Sequence, residues 1–133
     1  MLSAGAARAS IEPPLPHDLQ GFVRRPTSAI DHTPGDPLSL TAVAFDSGDG
    51  ACVVIAADLA GVDPQAADRI RSTVADALAI EASDVLINSS HSHAAPWLRS
   101  DGVKLGGGHD DYTAGERAYA DRLAFDFASV AVR

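Results

Sequence analysis

Two histidines one residue apart, His91 and His93, follow the run Val85-Leu86-Ile87-Asn88-Ser89, and Pro96 closes the segment. Imidazoles bind metal ions and move protons near neutral pH. Alternate side chains of an extended chain share a face, so this spacing points both rings toward one ion or one substrate. The other histidines, His17, His32 and His109, do not repeat the spacing. A catalytic zinc needs three protein ligands and an open position for water. The local segment offers at most two, so the rest must come from Asp58, His17, His32, His109 or Asp110, or from chain outside these 133 residues. Asp58 can also be read as a carboxylate that orients an imidazole, or as a plain turn residue. His109-Asp110-Asp111 has ligand-like residue types, but beside Gly106-Gly107-Gly108 it reads more as a solvated loop than as a ligand set. A serine nucleophile at Ser89, Ser90 or Ser92 ranks below the metal, because neighbours on a strand point apart and Ser90 is badly placed to use His91 as its base.

The elements that must position these residues follow from pattern. Gly5 to Ile11 has the size of a first strand, stopped by Pro13-Pro14-Leu15-Pro16, where backbone donors vanish. Pro16 to Pro37 is a long irregular stretch of the kind that is functional or disordered. Leu38 to Asp46 and Ala51 to Ala57 are strand-like, and Ser47-Gly48-Asp49-Gly50 between them has the chemistry of a hairpin turn. Asp63 then caps a helix with Pro64 at its first position. Ile70, Val74, Ala77 and Leu78 fall on one face of that helix, with Asp68, Arg69, Arg71 and Asp76 on the other. Val85 to Ser89 is nearly all apolar, which predicts a strand covered on both faces. The order strand, helix, strand predicts a crossover unit in which ligands gather at the carboxyl ends of the strands. His91 follows one such end and Asp58 the other. Past Trp97, Ser100 to Asp111 reads as a flexible loop, and its glycine run matches no phosphate-binding pattern. Thr113-Ala114-Gly115-Glu116 is a capping box, after which Tyr119, Leu123, Phe127 and Val130 keep helical spacing to the end. The expected class is α/β: a mixed sheet with a hairpin and a crossover, and helices packed on it.

Composition narrows the function. A length of 133 residues suits a single domain, and an apolar fraction of 46% with only 5% aromatics predicts a core of small and branched aliphatics. A formal charge of −8, with Lys104 the single lysine, opposes binding to nucleic acid or an anionic membrane surface. Cys52 lies in an apolar run with no partner for an intrachain disulfide, so a buried structural thiol is expected. No apolar run reaches the roughly 20 residues of a membrane span. The start lacks a secretory signal, so the cytoplasm is the default expectation and the chain reads as mature protein.

The residues resemble the N-terminal part of the neutral/alkaline non-lysosomal ceramidase family. Ala6-Ala7-Arg8-Ala9-Ser10-Ile11-Glu12-Pro13-Pro14 is similar to its opening strand and turn, and Gly21-Phe22-Val23-Arg24 to its Gly-aromatic-x-Arg element. His32 with Asp36-Pro37-Leu38 and then Ala57-Asp58-Leu59-Ala60-Gly61 follow in the family's order. The signature Thr-His-[Ser/Thr]-His-Ser-Gly-Pro is matched by Ser90-His91-Ser92-His93-Ala94-Ala95-Pro96. The resemblance implies a zinc-dependent amide hydrolase acting on an N-acylated sphingoid base, with His91 as zinc ligand and His93 as the group that faces the amide and stabilises the oxyanion. It also implies that the other ligands, a His, a Glu and a Tyr, and an active-site serine lie beyond residue 133, so that the chain is part of a longer enzyme, or a short relative that keeps only the first layer of the fold, and is catalytically poor on its own. Members of that family are often secreted or membrane-associated. Ala94-Ala95 replaces the signature's Ser-Gly and bears on which amide is taken, a lipid amide or a small polar one.

Two other expectations compete. A non-catalytic domain on the same scaffold would bind through the loops 16–37 and 100–111 and need no metal. A different metal-dependent amidohydrolase would use both His91 and His93 as ligands.

Overall fold

A computed structural model describes residues 1–13, 37–100 and 113–133. The hairpin organises the sheet among them. Asp46 and Ala51 pair across the turn, Gly48 takes a φ of +88° that side chains resist, and the Asp46 carboxylate accepts from the Gly48 N–H at 2.7 Å. The turn fixes the register of β2 (Ser39–Asp46) against β3 (Ala51–Ala57). β1 (Ser3–Ser10) adds antiparallel to β2. It starts and ends earlier than its sequence suggests, with Ile11 buried just past it.

From β3 the chain passes through the short β4 (Gly61–Val62) into α1 (Pro64–Leu78), and then through a 3₁₀ turn at Ala82–Asp84 into β5 (Val85–Ser89). β5 lies parallel to β3, so the expected crossover forms and the sheet order is β1-β2-β3-β5. β6 (Trp97–Leu98) pairs parallel with β4 as a separate ribbon. The last described element is α2 (Ala114–Ala131), begun by the capping box of Thr113 and Glu116. The class is α/β, and no described helix is long and apolar enough to cross a membrane.

Both helices cover one face of the sheet. Leu40 and Ala42 of β2, Val53 and Ile55 of β3 and Val85 of β5 meet Ile70 and Val74 of α1 and Leu123, Phe127 and Val130 of α2 in one core. On α1 the buried stripe runs through Ala66, Ala67, Ile70, Val74 and Ala75, while Ala77 is exposed against expectation. Alanines allow the helix to sit close, and the stripe turns toward Ala75 rather than Ala77. The other face of the sheet is open: Leu86 is 56% exposed, and Val54 and Phe45 are exposed as well. An apolar strand therefore did not mean cover on both sides here. The same face carries Cys52, which is exposed and not buried, because β3 alternates and Val53 and Ile55 take the core side.

α2 also ties down the exit of β1. The Tyr119 hydroxyl donates to the Ile11 carbonyl at 2.6 Å, and burial raises its phenol above the ordinary value. Arg122 lies over the Tyr119 ring at 5.1 Å and donates to the Glu12 carbonyl at 2.8 Å.

Asp63 joins the two halves of the unit. It is only 5% exposed, and its carboxylate accepts from the Ala66 N–H at the start of α1 and from the backbone N–H of Ser100. Asp63→Ala removes a helix cap and orphans a buried donor, so a loss of about 2–4 kcal/mol is expected in urea unfolding. Asp63→Asn keeps the cap and should lose less; a loss for Asp63→Ala under about 0.5 kcal/mol, the size of an ordinary surface change, would contradict the assignment.

Candidate functional site

The carboxyl ends of β3 and β5 lie side by side, with Ala57 opposite Ser89. From these ends two segments emerge that are bonded to each other. Ser90 donates to the Ala57 carbonyl at 3.0 Å, Ala60 donates to that of Pro96 at 2.9 Å, and Asp63 donates to that of Leu98 at 3.0 Å. Gly61 faces Trp97 across the β4–β6 pair, and a Cβ there would meet the indole at 2.9 Å. Only glycine allows the two segments this close approach. Residues 90–96 are therefore a short loop held at both ends.

His91 is where the chain leaves the strand. Its φ is +58°, in the left-handed region, so the two imidazoles do not converge by strand alternation as their spacing suggests. A turn brings them together instead, with ring centroids 5.0 Å apart and planes at 74°. The Nδ1 of His91 stands 2.6 Å from the Ala60 carbonyl oxygen. A carbonyl only accepts, so Nδ1 carries a proton, and in the neutral ring the lone pair is then on Nε2. That is the state in which an imidazole binds a metal ion. Two imidazoles sharing one zinc at a tetrahedral angle would also place their centroids about 5 Å apart, so His93 as a second ligand fits the spacing too.

Asp58 lies at the other strand end, but its carboxylate serves β2. Oδ2 accepts from the Ser39 N–H at 3.0 Å and from the Ser39 hydroxyl at 2.8 Å, and the Asp58 N–H returns a bond to the Ser39 carbonyl. Among the described residues no three His, Cys, Asp or Glu side chains come together as a metal-binding group. His17, His32, His109 and Asp110 lie outside the described residues, as do Gly21-Phe22-Val23-Arg24 and the glycine run. Ser90 is not aligned as a nucleophile in the described contacts, since its N–H and not its hydroxyl is engaged.

An open cavity of about 930 Å³ adjoins the loop, with Ser92, Asp58, Ser39 and Arg8 in its wall. Neither Arg8 nor Ser39 stood out in the sequence. Ser39 was within reach of counting: the hairpin register that pairs Leu40 with Ala57 sets Ser39 beside Asp58. The Ala60 carbonyl carries no sequence signal.

The segment beyond the loop is clamped at a second point. Arg99, 2% exposed, reaches Glu116 of the α2 capping box at 3.7 Å. A buried charge of this kind is tolerable only when paired.

Comparison of the chain with protein-family models, with curated proteins and with solved structures gave no match.

Neutral His91 should be the Nδ1–H tautomer. Long-range ¹⁵N–¹H correlation spectra check this directly, and a dominant Nε2–H form would remove His91 from consideration as an Nε2 ligand.

Proposed function

We propose that this chain supplies the His91–His93 corner of a zinc-dependent amide-hydrolase site of the ceramidase-like type. The observation that carries it is the contact between Nδ1 of His91 and the Ala60 carbonyl, which leaves Nε2 as a lone-pair donor at the carboxyl end of a parallel strand pair. The resemblance of Ser90-His91-Ser92-His93-Ala94-Ala95-Pro96 to the family signature supports the same assignment. Of the described residues, His91 would supply a ligand, with His93 beside it. Zinc bound there supplies positive charge that polarises an amide carbonyl and favours ionised water at neutral pH.

The chain's own residues have separate tasks. Ala60 fixes the tautomer and direction of His91. His93, an edge-on neighbour 5.0 Å away, donates N–H toward the amide oxygen as negative charge builds on it. Asp58 holds the start of β2 through Ser39 and shapes the cavity wall, a positioning role rather than ligation. Hydrolysis breaks the amide C–N bond: the water oxygen joins the acyl carbon and the nitrogen leaves protonated. The substrate is an N-acyl compound, a lipid amide or a smaller one.

Zinc content after dialysis, measured on wild type, His91→Ala and His93→Ala, tests this. His91→Ala should weaken zinc binding by about 10-fold or more. His93→Ala should keep most of the metal, and in an enzyme that carries the complete ligand set it should lose about 10²–10³ in kcat on a short-chain N-acyl amide. Equal zinc in wild type and His91→Ala sinks the ligand assignment and favours a non-catalytic domain. Equal loss of zinc in both variants favours the second reading, in which both histidines are ligands, as the 5.0 Å ring separation also allows.

A further inference from the structure

The cavity beside the histidine loop has an arginine in its wall. Arg8 projects from β1 into its wall, and among the described residues no carboxylate stands within ion-pair distance of it. Among the described residues Arg69 is placed similarly, its guanidinium donating to the Ser100 hydroxyl. Arg71, Arg99 and Arg122 each meet an aspartate or glutamate.

The guanidinium is nevertheless aimed. One Nη2 hydrogen goes to the Ser39 hydroxyl oxygen at 3.0 Å, and that hydroxyl gives its own hydrogen to Asp58 Oδ2 at 2.8 Å. Each atom of this relay has one role: Asp58 accepts, Ser39 passes the direction on, and Arg8 donates. The same Asp58 oxygen also accepts from the Ser39 N–H, which turns that edge of the carboxylate toward β2. Arginine carries several further N–H donors in a rigid plane. They remain for a guest in the cavity. Ser92, the residue between the two histidines, lies in the same wall.

We infer that Arg8 is a substrate-binding residue that takes the carboxylate of a small N-acyl compound, an N-acyl amino acid in chemical class, whose amide then lies toward the histidines. This rests on the amide-hydrolase reading of the site. A planar carboxylate matches a guanidinium fork with two parallel hydrogen bonds. A single cation in a protein of net charge −8 suits a monoanion better than a phosphate dianion. Ala9, Pro37 and Leu38 give the cavity an apolar lining against which a short carbon chain can rest.

N-acetylglycine and its neutral twin N-acetylglycinamide, titrated into the full chain by NMR, separate carboxylate recognition from amide recognition. Wild type should bind the acid about 10-fold or more tightly than the amide, the size of one charge-assisted contact. Arg8→Gln should erase that preference and Arg8→Lys should keep part of it, both with an unchanged circular dichroism spectrum. Equal affinity for the two compounds in wild type, or an undiminished preference in Arg8→Gln, overturns the inference. Inorganic phosphate binding more tightly than N-acetylglycine overturns the choice of carboxylate. A preference for the acid in protein that neither binds zinc nor cleaves amides would uphold the subsite and sink the hydrolase reading; zinc-dependent cleavage without the preference would do the reverse.

Discussion

One buried carboxylate sets the geometry on which the site depends. Asp63 sits where the crossover leaves the sheet, and it accepts from the first turn of α1 and from Ser100 at once. The first contact directs the helix across one face of the sheet; the second brings the chain that follows the histidines back beside the chain that follows β3. Without that return, Gly61 would not lie against Trp97, and the Ala60 carbonyl would not be in reach of His91. A helix cap and a loop anchor are ordinary devices taken separately. Here one side chain is both, so the placement of the loop follows from the start of the helix.

The histidine loop is held under tension. A non-glycine residue with a φ of +58° costs about 1–2 kcal/mol, and the bonds on either side must carry it. Ser90 to Ala57, Ala60 to Pro96 and the imidazole of His91 itself do so. The ring contact that selects the tautomer thus also helps hold the backbone that presents the ring.

Much of the scaffold was legible in the sequence because its signals are local. The hairpin turn, the Asp63-Pro64 start and the Thr113/Glu116 box each rest on a few neighbouring residues, and the helix stripe of Tyr119, Leu123, Phe127 and Val130 is buried as its period requires. What failed depended on distant chain. Hydrophobicity alone does not say that only one sheet face is covered, so the exposure of Cys52 and of one side of β5 is not written in it. The pair His91 and His93 was visible as residues, but the turn that joins the rings was not, since strand alternation already gave a sufficient reason for their convergence. Arg8 could not be placed from sequence, because the register of β1 on β2 depends on a long connection rather than on a tight turn.

The clamp around the loop has a consequence for how such a protein can change. Asp63, Ser100, Arg99 and Glu116 fix the path of the chain, while Ser92 and Ala94 within the loop are engaged in none of those clamping bonds. Inheritance can therefore act on the two sets separately. Substitutions inside the loop alter what the site meets without renegotiating its architecture, whereas substitutions in the clamp are judged first by whether the chain folds. A scaffold divided in this way can vary its chemistry along a short stretch of sequence while the surrounding bonds keep the path of the chain.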